Sequence, residues 1–105
     1  MSRASVKRMA IEGELTIFTA RELQERLLAL LALGEDVEVD LSGVGEMDSA
    51  GVQLLLATRT EAATRAVTLR FTGPGPVVVD TLDLCDLTSH FADTVLISRP
   101  DKEAP

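Results

Sequence analysis

Two stretches of this chain alternate apolar and polar residues, and a run of helical period separates them. In the first, Val37, Val39 and Leu41 are interleaved with Glu38 and Asp40. In the second, Val67, Leu69 and Phe71 are interleaved with Thr68 and Arg70. A period of two is that of a strand with one buried and one wet face. Between them, from about Ser49 to about Arg65, Val52, Leu55 and Leu56 recur at helical spacing, and Leu54 widens the apolar face. Strands joined through a helix lie parallel, linked by a right-handed crossover. That pattern commits the chain to an α/β architecture.

The flanking segments extend it. Met9–Glu14 and Leu15–Phe18 read as two short strands reversing at Gly13, paired antiparallel. Thr19 followed by Glu22 has the form of a capping box. It opens a helix through Leu23, Leu27, Leu30 and Leu31, and Gly34 closes that helix. Gly73-Pro74-Gly75-Pro76 is a loop, with Pro76 placed for the first turn of a third helix, Val77 to about Leu84. Val95–Ile97 makes a last short strand. The expected order is β-β-α-β-α-β-α-β. It gives one mixed β-sheet of about five strands with helices packed mainly on one side. Residues 1–98 form one domain and residues 99–105 a flexible polar tail.

Composition narrows the function. A net charge of −7 over 105 residues would repel nucleic-acid phosphates. With one cysteine, Cys85, no internal disulfide can form, and a cytoplasmic setting is expected. The longest greasy stretch, Leu27–Leu33, is too short to span a bilayer, so no membrane insertion is expected. No base is near Ser49 in sequence: the sole histidine is His90, and Met47 stands where a nucleophile elbow needs glycine. Asp80, Asp83 and Asp86 read as a solvated helix face rather than a metal site, and Cys85 as a small core residue. No catalytic residue, metal or cofactor is expected.

What remains is the junction Asp48-Ser49-Ala50-Gly51, between strand and helix. Asp48 or Ser49 can cap the helix, and Gly51 can permit close packing. Small Ala50 and Gly51 would also leave the helix entrance open, with an accessible hydroxyl on Ser49. A phosphate there would carry roughly −1.5 to −2 charge. Free N–H groups of the first turn would favour it, and Asp40, Glu46 and Asp48 would repel it.

Three motifs carry a family resemblance: Glu12–Thr16 (EGELT), Val39–Leu56 (VDLSGVGEMDSAGVQLLL) and Gly73–Leu87 (GPGPVVVDTLDLCDL). With them the chain resembles the STAS domains, whose founding members are bacterial anti-sigma factor antagonists. The resemblance implies a mixed sheet with helices mainly on one side and no enzymatic activity. It implies that Ser49, directly after Asp48, is the phosphorylation site of a partner serine kinase that is also an anti-sigma factor. That partner holds the ATP, and a phosphatase reverses the modification. The implied docking surface is Asp48, Ser49, Ala50 and Gly51 with the exposed side of the helix, including Gln53, and with Thr16 and Thr19 alongside. Thr16 stands where sigma antagonists usually carry an acid. The GELTIFTA version is similar to STAS proteins of chemotaxis or two-component systems. A lipid-transport ABC complex is a further alternative.

Overall fold

The computed structural model describes residues 6–85 and 95–96. Their order is β1 (Val6–Leu15), α1 (Ala20–Leu31), β2 (Asp36–Met47), α2 (Ser49–Thr64), β3 (Leu69–Thr72), α3 (Pro76–Leu84) and β4 (Val95–Leu96). The four strands form one sheet in the order β1-β2-β3-β4, and every described pairing is parallel.

This corrects the expected antiparallel start. The chain does not reverse at Gly13: it runs on to Leu15 as a single strand beside β2. Gly13 takes a left-handed φ of 84° inside that strand instead of turning a hairpin. The reason lies in parity. Ile11 and Leu15 are both buried and both odd-numbered, so one continuous strand points both at the core, with Met9 packed against it. Two expected strands are therefore one. Among the described residues the sheet has four strands, not about five, and is parallel, not mixed.

Sequential strand order with right-handed crossovers puts α1, α2 and α3 over the same face. The burial pattern agrees. Val37, Val39, Leu41, Leu69 and Phe71 are buried, together with Leu23, Leu27 and Leu31 of α1, Leu54 and Leu55 of α2, and Val78 and Leu82 of α3. The alternate residues are wet: Arg8, Asp40 and Arg70 are exposed, and Arg8 bridges to Glu38 across the strands at 2.9 Å. Purely parallel sheets usually carry helices on both faces. Here polar side chains solve the second face.

Other local expectations fare unevenly. Pro76 does occupy the first turn of α3, and Gly34 takes a left-handed φ of 77° after α1. The capping box does not form, because the Thr19 hydroxyl is used in the preceding turn. Leu54 is buried, and Cys85 is exposed rather than in the core. The end of α2 is a Schellman closure. Val67 N–H bonds to Ala62 C=O at 2.9 Å and Ala66 N–H to Ala63 C=O at 3.1 Å, with Ala66 at φ 56°. Val67 thus belongs to this closure, and its burial beside Ala62 gave it the look of a strand residue. His90, Asp86, Ile97 and the tail 99–105 lie outside the described residues.

Candidate functional site

β2 delivers the chain to the junction, and Asp48 turns it into α2. Its backbone is extended, at φ −130° and ψ −173°, as a capping residue requires. One carboxylate oxygen, Oδ1, accepts from Ala50 N–H at 2.9 Å and Gly51 N–H at 3.2 Å. The other, Oδ2, accepts from Ile17 N–H at 3.1 Å. One side chain thus caps α2 and ties it to the turn between β1 and α1.

These bonds stabilise the ionised carboxylate. Ile17 N–H is the largest influence holding the Asp48 pKa below its ordinary value; partial burial pushes the other way, and Gly51 and Ala50 N–H add to the lowering. A depressed folded-state pKa gives stability that is complete above the ordinary value of 3.8 and is lost as pH falls through the folded value. Asp48→Asn keeps a capping oxygen but does not titrate. Its melting temperature should therefore fall less steeply than the wild type's below that value. Equal slopes in thermal melts across the acid range would refute the role. Asp40 adds a background of the same sign, since Ser42 backbone N–H and then its hydroxyl lower its pKa.

Gly51 is buried at the first turn of α2, and packing dictates its identity. A Cβ there would overlap the carbonyl oxygen of Leu15 and come within 2.9 Å of Leu15 Cγ. Gly51 therefore does not hold the entrance open. It lets helix and strand touch.

Ser49 is the first residue of α2 and is exposed. Among the described residues its hydroxyl has no hydrogen-bond partner. Of the two candidate caps, Asp48 is the one that acts. Of the first-turn N–H groups expected to welcome a phosphate, those of Ala50 and Gly51 are already bonded to the Asp48 carboxylate. Ala50 is partly exposed, and Gln53, one turn beyond Ser49 on the same side, is exposed.

The two threonines divide. Thr16 is only 4% exposed. Its hydroxyl donates to Glu14 Oε1 at 3.0 Å and accepts from Phe18 N–H at 3.2 Å. It faces inward and does not line a surface. Thr19 is partly exposed, but its hydroxyl accepts from Thr16 N–H and donates to Glu14 C=O. Both threonines shape the turn that Asp48 holds.

That turn presents two residues that sequence reading missed. Ile17 is 68% and Phe18 88% exposed. The available signal was two large apolar residues between turn-forming threonines, where no strand can bury them. Glu14 and Glu46 face each other across β1 and β2 at the same end of the sheet. The site is thus an apolar tip with an acidic border. Among the described residues no cluster could hold a metal ion. Among the described residues the strand order does not reverse, so these four strands do not form the crevice where open α/β sheets bind small ligands.

The chain matches the family described as "Mlab, STAS domain" over residues 2–97. The chain belongs to the STAS domain family. The structure of the anti-sigma factor antagonist SpoIIAA in its unphosphorylated form superposes with TM-score 0.66 at 16% identity, covering 97% of this chain and 88% of that one. A putative anti-sigma factor antagonist from Thermotoga maritima gives TM-score 0.73 at 16% identity, covering 92% and 82%. The STAS domain of a SulP transporter from Vibrio cholerae gives 0.68 at 17%, covering 97% and 80%. At these identities the likeness is one of fold. No curated protein matches this STAS domain significantly in sequence. Among its described residues, no helix is long and apolar enough to cross a membrane.

Proposed function

We propose that this STAS domain is a protein-binding switch in which phosphorylation of Ser49 releases a partner. The observation that carries the proposal is the division of labour at the junction. Asp48 does all the capping, and the Ser49 hydroxyl is exposed and uncommitted. Modifying Ser49 would leave the cap intact and change the surface alone. A phosphate would add roughly −1.5 to −2 charge beside Glu14, Glu46 and Asp48. A partner packed on the exposed side of α2 and the Ile17–Phe18 tip would then have to bury a hydrated dianion.

The partner class is an ATP-binding serine kinase that doubles as an anti-sigma factor, with a phosphatase restoring the free hydroxyl. The Ser49 oxygen would take the γ-phosphoryl group of the partner's ATP, ADP would leave, and the hydroxyl proton would pass to a base on the kinase. The STAS domain supplies the acceptor and no turnover of its own, and the reaction takes place in the cytoplasm. The likeness in fold to SpoIIAA supports this reading.

A second reading is a constitutive adaptor, indifferent to phosphorylation, in a transporter or chemotaxis complex. The Mlab description and the SulP neighbour support its transporter form.

Paired capture with Ser49→Ala and Ser49→Asp as baits separates the two. Because Asp48 is the cap, Ser49→Ala should melt within about 0.5 kcal/mol of the wild type. It should hold the partner and resist phosphorylation, while Ser49→Asp folds and loses it. Identical partners on both baits would sink the switch and leave the constitutive adaptor.

A further inference from the structure

The strand order leaves β1 on the rim of the sheet, and among the described residues nothing pairs with its outer edge. Edge strands are usually short, bulged or covered. β1 has ten residues; its own backbone leaves the extended form at Gly13, but in the stretch before that the extra residue of the ladder falls on its neighbour. From Ala10 to Glu12 is two steps on β1, but the paired residues Asp40 to Gly43 are three steps apart on β2. The alternation of β1 is therefore unbroken through this stretch. Arg8, Ala10 and Glu12 are exposed on the polar face, and Met9 and Ile11 point under the helices. Beside this edge runs a groove of about 690 Å³, bordered by Met9, Ala10, Ala29, Leu30 and Leu33, with Arg8 and Arg26 also lining it. Leu33 is 55% exposed.

We propose that the β1 edge pairs antiparallel with β1 of a second copy, about a two-fold axis at Ala10. Charge selects this arrangement. With Ala10 on the axis, Arg8 of each copy meets Glu12 of the other, so the contact is made twice. Met9 meets Ile11 on the helix side, next to the groove. The smallest side chain of the set lies on the axis, where bulk would be least tolerated. A parallel in-register pairing would set Arg8 against Arg8 and Glu12 against Glu12. The Arg8–Glu38 bridge at 2.9 Å uses one guanidinium N–H and holds the side chain on the polar face. Other donors of the same group remain for Glu12 of the second copy. The two sheets join into one of eight described strands, and the partner strand covers the apolar floor of the groove between Arg8 and Arg26. Ser49 lies at the start of α2, off this edge, so the pairing does not depend on the switch.

Sedimentation equilibrium of the purified full chain tests the proposal. The wild type should show a reversible monomer–dimer equilibrium. Arg8→Glu and Glu12→Arg should each weaken the dimer about tenfold or more, because each reversal turns two attractions into two repulsions. The equimolar mixture of these two variants should dimerise again, since each then offers what the other lacks. The double variant should likewise regain a dimer. Circular dichroism must show all of them folded, which matters because Arg8→Glu also loses its bridge to Glu38. A wild type that stays monomeric at every concentration overturns the proposal. So does a dimer that survives both single reversals, or variants that fail to rescue each other.

Discussion

Gly51→Ala should destabilise the domain by about 3 kcal/mol or more, although it puts a better helix former into a helix. Propensity alone predicts a gain of about 1 kcal/mol. The difference in sign comes from Leu15. The new methyl group would overlap the Leu15 carbonyl oxygen and stand 2.9 Å from Leu15 Cγ. Neither neighbour has room to retreat: Leu15 is 0% exposed, and its carbonyl accepts from Asp48 N–H at 3.4 Å. To relieve the overlap, α2 must move away from β1, which pulls on the Asp48 cap. Gly45→Ala is the control, since a Cβ there meets nothing within 4 Å. It should shift stability by less than about 0.5 kcal/mol. Urea titrations of the two variants decide the matter, and similar midpoints would show that the close approach is not what fixes glycine at position 51.

Phe71→Ala should cost about 3–5 kcal/mol, the usual range for truncating a buried aromatic residue. The ring is 0% exposed and sits on β3, beside Val39 in the ladder. Arg70, its neighbour in sequence, points to the polar face and is exposed. Arg70→Ala should change stability by less than about 0.5 kcal/mol. The contrast between adjacent residues measures the one-sidedness of the sheet. A large loss at Arg70 would mean that something covers the polar face.

The strand alternation at Val37–Leu41 and the helix capped by Asp48 were legible because both depend on neighbours in sequence. So was the placement of Pro76, whose missing N–H suits only a few positions. The antiparallel start was misread because a glycine between two acids looks like a turn. Its true conformation is set by Ile11 and Leu15, which need the same face. The capping box failed for a similar reason: the Thr19 hydroxyl had a competing partner in Glu14 C=O, which only the folded turn brings near. The change from strand to helix falls at Asp48, where the sequence places it, but the parts played by its residues were assigned loosely. Nothing in the sequence tells which of two adjacent capping side chains will act, or that Leu15 will press on Gly51. Those facts depend on how two distant segments approach.

Every strand in the order β1-β2-β3-β4 lies beside the one made immediately before it. A chain leaving the ribosome would never have to hold a strand open for a neighbour not yet synthesised. Each βα unit could be laid onto the growing rim as it emerges, shielding the apolar face of the previous strand while the polar face stays in water. The monotone order of the described strands thus lets the domain assemble in the direction of its own synthesis.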